Sequence, residues 1–137
     1  EYDRRKELPF SNLIGKYELD DDSKKRYSIN DTTHLIINIE KDTSFIVQNM
    51  VNYKDRKILY GNYKYKAGYI NNYKDKHPSL FFSLFKQDFN GGGTINFYYR
   101  KKDSVIALYI YTPVVEATKE NNMKYIEGDY LRYIKVK

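Results

Sequence analysis

The chain of 137 residues has no cysteine, no tryptophan, two histidines, three prolines, three alanines and six arginines. Without cysteine there is no disulfide framework, no thiolate metal site and no cysteine nucleophile. No apolar run approaches the ~18 residues that a membrane-crossing helix needs. Gly91, Gly92 and Gly93 lack the following Lys and Ser/Thr of a phosphate loop, and read as a flexible hairpin loop. His34 stands at a strand start and His77 in a turn before Pro78, with no metal-ligand spacing between them. Ser44, Ser79 and Ser83 are not framed by a nucleophile elbow. Glu18, Glu40, Glu116 and Glu127 give no reason to choose a pair for glycoside hydrolysis. The three aspartates Asp20, Asp21 and Asp22 lack the alternating ligands and the glycine of a calcium loop, so Asp20–Arg26 reads as a solvated loop. The expectation is a protein that is not an enzyme and uses no metal and no cofactor.

What is present is a foldable core and many aromatics. Phe, Ile, Leu and Val make up about a quarter of the chain, above the ~20% below which charged chains stay disordered. The length fits one domain. Sixteen tyrosines and seven phenylalanines accompany a net charge of +6. Lysine outnumbers arginine 18 to 6, and Lys, Asn, Ile and Tyr all have AT-rich codons, so a low-GC genome accounts for much of the charge. Phosphate recognition favours the arginine fork, which is scarce here.

The polar start, Glu1 to Lys6, has no apolar segment of its own. Residues 1–10 read as a tether or extension, and 11–137 as one domain. A charged tether fits either a trimmed chain or a mature exported protein. The expected location is that of an exported bacterial protein, periplasmic or lipid-anchored at the outer membrane through a removed N-terminus, with the cytoplasm as the open alternative.

Period-two alternation and turn residues divide the chain into nine strand segments: 14–19, 34–40, 44–51, 57–66, 69–73, 79–86, 94–101, 104–112 and 129–136. The segment 113–123 is polar and reads as a loop with a short helix. The connections are too short for crossover helices, which excludes parallel βαβ units. The expected fold is all-β, a single antiparallel up-and-down β-barrel of about eight or nine strands with little helix.

Gly15-Lys16-Tyr17 opens the first strand, Leu131-Arg132-Tyr133-Ile134 lies in the last, and Gly61-Asn62-Tyr63 repeats the Gly-x-aromatic pattern. This arrangement resembles the calycin superfamily, which includes lipocalins and fatty-acid-binding proteins, and small lipocalin-like bacterial lipoproteins within it. The resemblance implies barrel closure by Gly15, Tyr17 and Arg132. Tyr17 stands where the family has tryptophan, and Arg132 would be its cation–π partner.

Aromatic density is the main functional signal. Phe97-Tyr98-Tyr99 is expected to face Tyr109-Ile110-Tyr111 across a hairpin turning at Lys102-Asp103. Alternate barrel residues point inward, so Tyr63, Tyr65, Phe82, Phe97, Tyr99, Tyr109 and Tyr111 form a candidate lining, with Arg100 near the rim. Such a site suits an apolar or amphipathic small ligand, and a Tyr-rich exterior suits a protein partner. The alternative is an immunity-type protein that neutralises an acidic toxin or effector by direct contact. Nucleic acid is not expected: oligonucleotide-binding barrels have five strands, and the lysines here alternate with Asp and Glu. Val105–Tyr111 is apolar at nearly every position, so its inward face stays open.

Overall fold

A computed structural model describes residues 9–51, 57–66, 68–72, 77–83, 92–100, 102–115 and 125–136. In chain order the described elements are α1 (Phe10–Leu13), β1 (Gly15–Leu19), α2 (Asp21–Arg26), β2 (Ile36–Ile39), β3 (Phe45–Val51), β4 (Ile58–Tyr65), β5 (Gly68–Asn72), β6 (His77–Ser83), β7 (Gly92–Arg100), β8 (Val105–Val115) and β9 (Tyr125–Lys135). All nine strands belong to one sheet, in the order β4-β3-β2-β1-β9-β8-β7-β6-β5, and every neighbouring pair is antiparallel.

Local chemistry explains the turns. Between β2 and β3, Asp42 accepts from the Ser44 amide at 3.0 Å while Thr43 takes a φ of 65°. Asn49 occupies the left-handed region at the bulge in β3, where its side chain donates to the His34 carbonyl at 2.9 Å and accepts from the Gly61 amide at 3.1 Å. A short Asx side chain is the usual non-glycine choice there, because it bonds locally to the backbone. Between β7 and β8, Arg100 chelates Asp103 at 2.8 and 2.7 Å.

Several expectations about local structure change. The segment expected as a solvated loop at 20–26 is a helix instead. Asp20 caps it by accepting from the Ser23 amide at 2.8 Å, Asp21 and Asp22 fill the first turn, and Lys24, Lys25 and Arg26 fill the last. That acidic-then-basic order complements the helix dipole. Strand β8 continues through Pro113 to Val115, into the segment expected as a loop. Strand β6 starts at His77 and includes Pro78, and β7 starts at Gly92 inside the expected glycine loop. Helix α1 begins at Phe10, which packs against the core.

The core lies on one face of the sheet. Tyr17, Leu19, Ile37, Ile39, Phe45, Val47, Ile95, Phe97, Leu108, Leu131 and Tyr133 form a single cluster drawn from six strands. Tyr17 on β1 and Phe97 on β7 are three strand spacings apart, roughly 14 Å in a flat sheet, yet their ring centroids are 6.0 Å apart. The sheet therefore curves strongly toward this face.

The ring of strands expected from the sequence is not completed by pairing between β4 and β5, which are the two edges. Strand direction alternates along the nine-strand order, so β4 and β5 run the same way. Only Lys66 and Ala67 lie between them in the chain. A parallel pair needs a crossover of a dozen or more residues, so the two edges cannot form a ladder with each other directly.

Candidate binding surface

The register decides which aromatics meet. Across the β7–β8 hairpin, Ile95 pairs with Ile110, Asn96 with Tyr109, Phe97 with Leu108 and Tyr98 with Ala107. The expected face-to-face match of Phe97-Tyr98-Tyr99 with Tyr109-Ile110-Tyr111 is thus shifted, and the candidate lining divides between two faces of the sheet.

On the concave face the structure gathers Tyr63, Tyr65, Phe97 and Tyr99. Phe97 is fully buried and meets the Tyr17 ring edge-on. Tyr65 is 8% exposed, packs its ring 5.2 Å from Phe45, and points its hydroxyl at the Met50 sulfur, 3.7 Å away. Tyr63 packs partly against the core and lies over Gly61, whose φ of +129° only glycine adopts easily, while its hydroxyl donates to the Tyr60 carbonyl at 3.1 Å. Tyr99 packs partly on the core and its hydroxyl bonds Ser104 at 3.0 Å. These rings contact the protein's own side chains. Arg100 is held in the turn by Asp103, whose carboxyl it keeps below its ordinary pKa through their hydrogen bond. The side chains of Phe82 and Tyr111 lie outside the described residues.

Tyr109 belongs to the opposite, outer face, because Leu108 and Ile110 on either side of it enter the core. The same alternation corrects the expected closure contact. Leu131 and Tyr133 are core residues, so Arg132 between them turns outward and does not meet Tyr17. Its guanidinium sits 5.9 Å from the Tyr109 ring centroid and pairs with Asp20. Tyr17 instead donates its hydroxyl to the Leu13 carbonyl at 2.7 Å. Burial pushes the Tyr17 and Tyr133 phenols well above the ordinary tyrosine value. The basic group near Gly15 is Lys135: a Cβ added at Gly15 would come 3.0 Å from its Cε, and its ammonium donates to the Asn12 carbonyl at 2.7 Å.

The outer face therefore holds a cluster that the sequence reading left unassembled. Tyr98 meets Tyr109 edge-on at 4.9 Å, and Tyr109 meets Tyr130 at 5.3 Å. Arg26, from the last turn of α2, lies 4.3 Å over the Tyr130 ring and donates to the Tyr130 carbonyl at 2.6 Å. It also pairs with Asp22 at 2.6 Å. Partial burial opposes the charge on Arg132, but hydrogen bonds and charge interactions with Tyr109 and Asp20 outweigh it and raise its pKa. The Ser23 hydroxyl accepts from the Arg132 amide at 3.0 Å, which seats α2 on β9.

Three tyrosines, two arginines and two aspartates thus share one surface built by β7, β8, β9 and α2. Each guanidinium is matched by a carboxylate, so stacking and hydrogen bonding dominate its chemistry over net charge. The signal for it in the sequence was phase: Tyr98, Tyr109, Tyr130 and Arg132 each lie one residue from a core position. Among the described residues, no group of three or more His, Asp or Glu is placed to hold a metal ion. No protein-family model matches the chain, and no curated protein or solved structure is detectably similar to it.

Proposed function

We propose that this chain is a non-catalytic binding protein that recognises a protein partner through the outer face of β7–β9 and α2. The observation that carries this reading is the outer cluster of the partly exposed Tyr109, Tyr130, Arg26 and Arg132, with Tyr98, only 7% exposed, packed edge-on against Tyr109. Tyr and Arg dominate the residues on which binding energy concentrates in protein interfaces, since both combine broad apolar contact with hydrogen bonding. The concave face offers less to a small ligand, because Phe97, Tyr65 and Tyr17 are buried against their own neighbours. The net charge of +6 would act at longer range, speeding approach to an acidic partner.

The experiment compares capture from cells of the source organism by the wild type, by Tyr109→Ser and by the core variant Ile39→Val, after circular dichroism shows all three folded. A protein retained by the wild type and by Ile39→Val but lost by Tyr109→Ser supports the outer face. Equal retention by Tyr109→Ser removes that face from consideration. Saturable one-to-one binding of 1-anilinonaphthalene-8-sulfonate to the folded wild type, blocked by the core variant alone, would return the function to the interior.

A further inference from the structure

The edge strand β4 has chemistry that the outer cluster does not use. Among the described residues it has a ladder partner on one side, β3, and none on the other. Tyr60, Gly61, Asn62 and Lys64 are exposed, and the Tyr60 side chain, 70% exposed, is the largest apolar group on the described surface. Residues 57–66 contain Lys57, Lys64 and Lys66 and no acidic residue. Lys66 shares Asp42 at 3.3 Å, whereas Lys64 makes no ion pair with a described residue.

A sheet edge with unmatched backbone groups is a template for an added strand. The other free edge, β5, cannot fill this role, because it runs parallel to β4 and is tethered to it by two residues. A second copy of the chain is a poor occupant, since a second β4 edge would bring three more lysines and no acidic residue to meet Lys64. We propose that β4 is a docking edge for an extended, Asp/Glu-rich segment of a partner protein, added antiparallel to β4. Backbone pairing with residues 58–64 would supply the affinity. Carboxylates on alternate positions beside Lys64 would supply the selectivity. An antiparallel addition also continues the alternation found through the whole sheet. The outer cluster is not required for it.

The probe is a fluorescein-labelled peptide, Glu-Val-Glu-Thr-Glu-Val-Glu, which places acids on one strand face and Val and Thr on the other. Its controls are the same peptide with every Glu replaced by Lys, and a version N-methylated at alternate residues. Anisotropy gives affinity, and amide hydrogen exchange of the full chain reports on residues 58–64. The acidic peptide should bind saturably and slow exchange about tenfold or more at the amides of 58–64 that point away from β3. N-methylation should weaken it about tenfold or more without changing its charge. Lys64→Glu should weaken it similarly, Lys64→Arg should not, and Tyr109→Ser should leave it unchanged. The proposal is overturned by slow exchange in the free monomer at the amides of 58–64 that point away from β3, which would mean the chain covers its own edge. It is equally overturned by concentration-dependent protection there without peptide, by undiminished binding of the N-methylated or Lys peptide, by no binding of the acidic peptide, or by its loss in Tyr109→Ser.

Discussion

On the concave side of β8 and β9, Ile106, Leu108, Ile110, Leu131 and Tyr133 are almost wholly withdrawn from water. One residue along, on the other side, Tyr109, Tyr130 and Arg132 are partly exposed and meet Arg26 from α2. The same two strands thus carry a packed apolar layer and a polar aromatic layer. The inner layer holds its rings by excluding water, which depends on area and shape. The outer layer holds its rings by stacking and charge-assisted hydrogen bonds, which depend on particular partners. Substitutions on the two faces should therefore differ in size and in what restores them.

Phe97→Ala should have the largest effect. It removes a fully buried ring that contacts Tyr17, and should destabilise the fold by about 3–5 kcal/mol in urea titrations. A loss as small as that of an outer-face tyrosine would show that the concave face is not the core.

Alkali separates the faces by titration. Burial raises the phenol pKa values of Tyr17 and Tyr133 in the folded state. Their contribution is then complete below about pH 10, the unfolded tyrosine value, and is lost as pH rises from there toward the folded values. Each removes about 1.4 kcal/mol per pH unit in that window. Phenolate absorbance should show these two tyrosines ionising only with cooperative unfolding. The double variant Tyr17→Phe/Tyr133→Phe should flatten the alkaline decline.

Arg132→Gln tests the outer layer. It leaves Asp20 without its ion-pair partner and Tyr109 without its guanidinium, and should cost about 1–2 kcal/mol. A double-mutant cycle with Asp20→Asn should show coupling between the two sites, whereas Phe97→Ala and Arg132→Gln should act additively. Tyr109→Ala should cost about 1 kcal/mol, near the value of an aromatic pair, and Tyr109→Phe should cost less.

Acid should have the smallest effect. Hydrogen bonds from Ser44 and Lys66 hold the Asp42 carboxyl below its ordinary value. Its contribution is present above the unfolded carboxylate pKa and is lost as pH falls through the depressed folded one. Since Asp42 is exposed, Asp42→Asn should reduce the acid dependence of stability only slightly, as read from thermal melts at stepwise lower pH.

Much of the fold was legible in the sequence. All nine expected strand segments correspond to strands β1–β9, because period-two alternation and turn residues are local signals. The helix at Asp21–Arg26 was not read from the sequence, which suggested a solvated loop: its aspartate cap and its charges ordered along the dipole are local signs, but it is too short for a helical period to reveal. The site was less legible. Phe97 and Tyr65 were correctly drawn to one face with Tyr63 and Tyr99, while Tyr109 was misassigned because Val105–Tyr111 is apolar at nearly every position. In such a strand, alternation gives no sign of which face is inside. The Tyr17–Arg132 contact failed for the same reason of phase: a pairing inferred from motif could not see that Leu131 and Tyr133 occupy the core.

Sequence by itself determined the strand content, the antiparallel pairing and the missing chemistries of cysteine. These follow from residue identity, two-residue periodicity and connections too short to cross over. Tertiary structure alone decided which tyrosines became core and which became surface, and that Arg132 meets Asp20 and Tyr109. It also decided that β4 and β5 run the same way at the two edges of the sheet. Those outcomes depend on register and curvature, which are set by contacts between residues distant in the chain and leave no local trace.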